Sequence, residues 1–149
     1  MEICNNSEHV FHPDRLTFGV LRAGEFHLSE NRPQKTAFFS SGWQSWSPSG
    51  TWQDGEKQTR SWLKHLAHPM LYNTGTPITQ KHSQFSSDMF AAIIDHKAQA
   101  GLICGFLSQK EQFGSLLCTL HPEPDLQVWA NADKIELRPG VTLDRKSVV

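Results

Sequence analysis

Three of the chain's five tryptophans fall in the segment GWQSWSPSGTW, which spans residues 42–52. Trp43, Trp46 and Trp52 are interspersed with serine, glycine and proline, which are typical of turns and loops rather than of a buried core. The flat face of an indole can cover the apolar C–H face of a sugar ring, while nearby amides and hydroxyls bond the hydroxyl groups at its edge. Because specific small-molecule sites combine an aromatic surface with a few polar groups, this composition indicates a carbohydrate-binding loop.

Polar side chains in and beside the same segment could bond the sugar hydroxyls: Gln44, Ser45, Ser47 and Gln53. Two alternatives to sugar binding stay open. The tryptophans could fold back and bury themselves at the open end of a β-sandwich. They could also meet a protein partner, because aromatic residues are common in interfaces of every kind.

Charge and hydropathy limit the classes of partner. The 14 basic and 15 acidic residues give a net charge of −1, whereas a nucleic-acid-binding domain normally carries a basic patch or stripe. No apolar run approaches the roughly 20 residues that span a bilayer. The N-terminal MEICNNSEHVFHPDR has neither the basic nor the apolar region of a secretory signal. We therefore expect a single domain over residues 1–149 that binds neither nucleic acid nor membrane.

The cysteines and histidines do not form a pattern typical of disulfide or metal chemistry. Cys4, Cys104 and Cys118 are odd in number and widely spaced. The latter two lie in apolar runs and are expected to be small buried hydrophobes in a reducing compartment, the cytoplasm. His65 and His68 are the closest histidine pair, but no third ligand stands near them. Neither a metal nor another cofactor is expected.

The periodicity of the chain predicts strands. Residues 47–87 are polar and lack a clear period, although a short helix is expected around Ser61–Leu66. Short links between the later strands are typical of antiparallel hairpins. The predicted fold class is therefore all-β, an antiparallel β-sandwich of two packed sheets with a long irregular region in its middle. The strands are predicted at 15–22, 24–30, 36–41, 89–96, 101–108, 113–120, 126–131 and 134–140.

Two blocks of sequence resemble a known family. GWQSW followed by Ser-Pro resembles the Trp-Gln-Ser-Trp motif of glycoside hydrolase family 36, the microbial α-galactosidases. There the motif lies in an N-terminal β-sandwich domain of the supersandwich type. The segment SSDMFAAIIDHKAQAGLICGFLSQKEQFGSL (86–116) is similar to a later part of that domain, in matching order and separation. KIELRPGVTL resembles a strand and Pro-Gly turn that come late in the same domain. The resemblance covers roughly residues 38–143.

The resemblance implies a non-catalytic module. In the family, two aspartates act with retention of configuration in a (β/α)₈ barrel that follows the sandwich. A barrel alone needs about 250 residues, so 149 residues cannot contain one. No aspartate of this chain lies in a segment similar to the catalytic blocks, so the chain alone is not expected to be an enzyme. Asp88 and Asp95, which flank a predicted strand, are expected to have surface or turn roles.

The resemblance also implies roles for the loop residues. In the family, the second tryptophan of the motif helps to wall the galactose subsite at the mouth of the barrel, and this role falls here to Trp46. Trp43 is expected to anchor the loop against its own sandwich, and Gln44 and Ser45 are expected to fix the turn or line its edge. The implied partners are a galactose-containing oligosaccharide and a catalytic barrel domain. A free-standing carbohydrate-binding protein is the alternative.

The chain departs from the family's pattern in two places. The residue before the motif is usually Asn, whereas this chain has Gly42. The family's domain usually continues with further strands, whereas this sequence ends at Val149. A sandwich without those strands would leave an unpaired edge that invites pairing with another copy, so a homo-oligomer is expected, with a dimer as its simplest form.

Overall fold

The computed structural model describes residues 2–25, 36–45, 47–58, 73–108, 113–132 and 135–144. None of these residues forms a helix, and so none forms a helix that could cross a membrane. The predicted all-β fold class is confirmed. The strands are β1 (Glu2–Cys4), β2 (Arg15–Leu21), β3 (Thr36–Ser40), β4 (Gly50–Gln53), β5 (Gln84–Asp88), β6 (Phe90–Asp95), β7 (Ala100–Gly105), β8 (Gly114–Thr119), β9 (Asp125–Asn131) and β10 (Thr142–Asp144).

The strands form two four-stranded antiparallel sheets and a two-stranded ribbon. The first sheet has the order β2-β9-β8-β5, and the second sheet has the order β4-β3-β6-β7. β1 pairs with β10 in the ribbon. Direct pairing of β3 with β4, of β6 with β7 and of β8 with β9 makes three hairpins.

Apolar side chains of both sheets meet between them. Phe38 on β3 and Phe85 on β5 are fully buried, and their rings stack with centroids 5.5 Å apart. On β6, the buried Ala91 and Ile93 alternate with more exposed neighbours, as expected when one face of a strand lies against the core. The two sheets therefore form a β-sandwich. The rest of the central cluster is Leu116, Cys118, Leu120, Leu126 and Val128.

The chain crosses from the first sheet to the second at Met89, the single residue between β5 and β6. Its φ of 71° lies in the left-handed region, which costs an L residue roughly 1–2 kcal/mol. The N–H of Met89 donates to the carbonyl of Gly114 (3.0 Å), and its own carbonyl accepts the N–H of Phe106 (2.9 Å). These bonds to two other segments hold the strained crossing in place.

Six of the predicted strands correspond to β2, β3, β6, β7, β8 and β9. Most of the predicted strand 24–30 lies outside the described residues, as does the helix expected at Ser61–Leu66. The strand predicted at 134–140 is wrong for its described part, where Leu137 makes only an isolated bridge to Phe11. Pro139 has no N–H to continue a ladder, and Gly140, with a φ of 74°, belongs to a turn.

The prediction that residues 47–87 are irregular is wrong in two places, because the region contains β4 and most of β5. β4 is only four residues long and β5 reads QFSSD, so neither sequence shows a recognisable alternation of apolar and polar residue types. Both segments are strands because each pairs with a neighbouring strand, β4 with β3 and β5 with β8. Trp52 on β4 lies opposite Phe38, and Ser86 on β5 lies opposite Leu117.

The tryptophan loop as a candidate functional site

The predicted binding segment is a hairpin loop at one end of the sandwich. β3 pairs with β4 as far as Ser40 and Gly50, so residues 41–49 form the connection, which we call the tryptophan loop. The N–H of Ser41 donates to Ser87 Oγ (2.8 Å), and the carbonyl of Ser41 accepts the N–H of Asp88 (3.0 Å). Because Ser87 and Asp88 end β5, the loop is tied to the opposite sheet as well as to its own.

A tight turn shapes the middle of the tryptophan loop. The N–H of Ser47 donates to the carbonyl of Gln44 (2.9 Å), and the N–H of Gln44 donates to Ser47 Oγ (3.2 Å). A Cβ atom on Gly42 would lie 2.4 Å from Ser47 Cβ and 2.8 Å from its carbonyl oxygen, which is closer than such atoms can approach. The close approach of Ser47 explains why this chain has glycine where the resembling family usually has Asn.

Trp43 lies against its own sandwich, as expected for an anchoring residue. The half-buried indole meets the ring of Phe113 edge-on, with centroids 5.4 Å apart. Its Nε1–H is buried and has no acceptor among the described residues. A buried donor without an acceptor costs about 1–3 kcal/mol, so an oxygen that reached it would be bound favourably.

The other predicted site residues are only partly brought together. Gln44 is half-buried and Ser45 is exposed, and both belong to the turn beside Trp43. Trp46 lies outside the described residues. Ser47 is buried, and its Oγ already accepts the N–H of Gln44, so it helps to build the turn and does not face solvent.

Trp52 and Gln53 do not belong to the tryptophan loop. Trp52 is a strand residue that packs against the core cluster, and a Cβ on Gly50 would lie 3.0 Å from its ring. Gln53 ends β4 three residues beyond Gly50, about 10 Å along the strand at the usual rise. Gln53 therefore lies apart from the tryptophan loop, and its sugar contact stays a prediction. The packing of Trp52 follows the self-burial alternative.

Asp88 is a residue whose position the sequence did not reveal. It is 1% exposed and lies beneath the base of the tryptophan loop, so its predicted surface or turn role is wrong. Asp95 has the expected turn role, since its Oδ1 accepts the N–H groups of Lys97 (2.9 Å) and Ala98 (3.0 Å). The two aspartates differ in their neighbours: Asp88 ends the polar strand β5, whereas Asp95 ends the apolar strand β6 before a turn.

The side chain of Gln58 closes the middle of the β5 edge of the first sheet, and the carbonyl of Ser41 accepts the N–H of Asp88 at its end. Gln58 Nε2 donates to the carbonyl of Ser86 (2.7 Å), and Gln58 Oε1 accepts the N–H of Ser86 (2.8 Å). The amide thus satisfies both backbone groups that a further strand would bond. Thr79 Oγ1 also donates to Gln58 Oε1 (3.0 Å), which fixes the amide's orientation.

Two of the three cysteines lie where burial disfavours the thiolate. Burial raises the pKa of the Cys118 thiol, and the charges of Asp125 and Asp54 raise it further. Burial also raises the pKa of the half-buried Cys104 thiol, against a smaller opposing effect of a backbone hydrogen bond at Gly105. Cys4 is exposed. Within the described ranges, no three His, Cys, Asp or Glu side chains come together as a set of metal ligands.

Comparisons with known proteins gave no relative: no protein-family model, no curated protein and no solved structure matches this chain. The likeness to the α-galactosidase sandwich therefore rests on the sequence blocks alone.

Proposed function

We propose that this chain is a non-catalytic carbohydrate-binding module of an α-galactosidase-like glycoside hydrolase, and that its tryptophan loop helps to form a galactose-binding site. The observation that carries the proposal is the construction of the loop. Hydrogen bonds to both sheets fix its base, and its turn places Gln44 and Ser45 beside Trp43, whose N–H lacks an acceptor among the described residues. The choice of galactose comes from the GWQSW motif.

A fixed loop is suited to a weakly held ligand such as a sugar. Binding is stronger when the groups that contact the ligand are already ordered, because less conformational entropy is then lost on association. In the proposed site, Trp46 stacks on the sugar face, and Gln44 and Ser45 bond its hydroxyl groups. Trp43 anchors the loop against Phe113 and keeps these groups in place.

The chemistry of glycoside hydrolysis belongs, in this proposal, to a (β/α)₈ barrel that is separate from this sandwich. The module completes the sugar site and requires no cofactor. We place it in the cytoplasm, a location that the three free cysteines support, because disulfides are rare in reducing compartments. Its ligand would be a galactose-containing oligosaccharide. Binding of that ligand without any barrel would make it a free-standing carbohydrate-binding protein.

A second candidate function is a structural or interaction domain in which the tryptophans serve stability. Two observations favour it. Trp52 packs against the core cluster, and Trp43 packs against Phe113. The two candidates differ in what they require of Trp46, which has to contact the sugar in the first and to stabilise the fold or a protein interface in the second.

Tryptophan fluorescence during titration with galactose, melibiose and raffinose tests the proposal. The wild type should show a saturable change, and Trp46→Ala should lose it while its melting temperature stays close to that of the wild type. Trp52→Phe is the matched control, because Trp52 lies outside the loop, and it should keep the sugar response. A large loss of melting temperature in Trp46→Ala, with no sugar response in the wild type, would support the structural candidate instead.

A further inference from the structure

The outer face of the second sheet is apolar where it reaches the β7 edge. Ile103 is 74% exposed, and Phe90 and Ile94 on the neighbouring strand are 41% and 38% exposed. An antiparallel sheet that faces water normally carries polar side chains on that face. Here a shallow groove of about 480 Å³ runs beside β7. The outward positions of β6 and β7 hold no charge; they are Phe90, Ala92, Ile94, Gly101, Ile103 and Gly105.

β7 is also an edge strand. Among the described residues it pairs with β6 alone, so on its other side alternate N–H and C=O groups face away from the sheet. Its sequence, AGLICG, contains neither a charged residue nor proline. Its register with β6 runs from Ala100 to Gly105 without a bulge.

In the described parts of the two four-stranded sheets, the other three edges carry the protection that β7 lacks. Proteins protect edge strands with bulges, charges, short length or a covering group. β2 has a register break between Thr17 and Gly19 and begins with Arg15. β5 is covered by Gln58 at Ser86, and β4 is only four residues long. Among the described residues, the β7 edge is therefore the one most available to a partner strand.

We propose that two copies of this chain associate by pairing β7 with β7 in antiparallel orientation about a two-fold axis, which joins their second sheets into one continuous sheet. The partner is a second copy because an antiparallel strand can pair with itself about a two-fold axis, and because a net charge of −1 per chain gives little repulsion between copies. The dimer does not depend on the sugar site.

The side-chain pattern of β7 restricts the register, and the high exposure of Ile103 selects one of the registers that remain. Opposed residues of an antiparallel pair point to the same face of the sheet. Leu102 and Cys104 pack against the core, so in both copies they have to stay on the inner face. These conditions are met when Ile103 lies opposite Ile103 of the second copy, with Gly101 opposite Gly105. This register brings the most exposed apolar side chain of the strand against its own counterpart.

Sedimentation or light scattering as a function of protein concentration tests the association of the full chain. The wild type should be a dimer at micromolar concentrations, and Ile103→Lys should raise the dimer dissociation constant at least tenfold by placing two like charges at the axis. Val20→Lys, a matched change at an exposed position of the β2 edge, should leave the constant unchanged. A monomeric wild type, or an Ile103→Lys variant that dimerises like the wild type, would overturn the proposal.

Oxidative cross-linking then tests which surfaces meet. The new cysteines are introduced into a Cys4→Ser chain, because the exposed Cys4 could otherwise form disulfides itself. Directly opposed Cβ atoms are about 5 Å apart, so Ile103→Cys should form a disulfide-linked dimer. Ile94→Cys is the control: three strand spacings alone separate it from its counterpart by about 14 Å, and its offset along the strand adds to that distance, so it lies beyond disulfide reach. Cross-linking of Ile94→Cys as efficient as that of Ile103→Cys would show contact between outer faces, which contradicts pairing of the edges.

Discussion

The indole of Trp43 and the ring of Phe113 meet edge-on across the open end of the sandwich, with their planes 86° apart. Trp43 belongs to a loop of the second sheet, whereas Phe113 directly precedes β8 of the first sheet. The contact therefore closes the gap between the sheets. The same indole carries a buried N–H without an acceptor among the described residues, so one side chain combines a stabilising contact with an unfilled hydrogen-bonding position.

Replacement of Trp43 should separate these two properties. Trp43→Ala removes the ring and should lower the free energy of unfolding by about 2–3 kcal/mol, less than a fully buried tryptophan would cost. Trp43→Phe keeps an aromatic contact and removes the unsatisfied donor, so its cost should be under about 1 kcal/mol. Urea unfolding measures both values. Equal losses in the two variants would contradict an anchoring role for the ring.

Gly42 should tolerate no side chain. Gly42→Ala forces a Cβ into Ser47 and should lower the free energy of unfolding by about 2 kcal/mol or more, the usual cost of overpacking. Gly19→Ala is the matched control, because nothing lies within 4 Å of the Cβ it would add, and it should be neutral or slightly stabilising. Thermal unfolding of both variants checks the difference. If Gly42→Ala were as stable as the wild type, the close approach of Ser47 would not constrain the loop.

Gln58 should contribute more to stability than an exposed glutamine. Gln58→Ala leaves the buried N–H of Ser86 and the hydroxyl of Thr79 without this acceptor, and should cost about 2–4 kcal/mol. It should also increase self-association, because the edge of β5 becomes accessible. Gln53→Ala, at an exposed position of β4, should change stability by less than about 0.5 kcal/mol. Similar unfolding free energies for the two variants would show that Gln58 does not close the edge.

Stability should fall above the ordinary thiol pKa of 9.0. The pKa of Cys118 is raised in the folded chain, so above that pH the unfolded thiol ionises while the folded thiol stays protonated. The unfolded state then binds fewer protons, and stability decreases by up to about 1.4 kcal/mol per pH unit from this group. Urea unfolding between pH 8 and pH 10.5 should show this slope, and Cys118→Ala should reduce it. An unchanged slope in Cys118→Ala would assign the pH dependence to other groups.

The sequence predicted the fold class well where strands carry apolar side chains. β6 and β8 are detectable because their buried positions contain residues such as Ile93 and Leu116, whose side chains are apolar and pack in the core. β5 escaped prediction because its buried positions include Ser86 and Ser87. Their burial depends on hydrogen bonds from Gln58 and Ser41, which lie 28 and 46 residues away in the chain. Local periodicity contains no trace of such bonds.

The candidate site was predictable in composition but less so in arrangement. The composition of the segment indicated a loop, which the pairing of β3 with β4 places at residues 41–49, and Trp43 contacts Phe113. The sequence could not show that Ser47 is used within the turn, because that depends on the backbone conformation at Gln44. The spacing of the residues also did not show that a strand begins at Gly50 and ends at Gln53, away from the loop.

The most direct test of the proposed function resolves the five tryptophans one by one. Their indole N–H signals can be separated by ¹H–¹⁵N NMR, assigned with single Trp→Phe variants, and followed during titration with galactose and melibiose. A sugar site on the tryptophan loop predicts saturable shifts of the Trp46 and Trp43 signals, while Trp129, buried on β9, and Trp52 stay unchanged. Loop signals that stay fixed at saturating sugar, or shifts that appear equally in all five indoles, would contradict it.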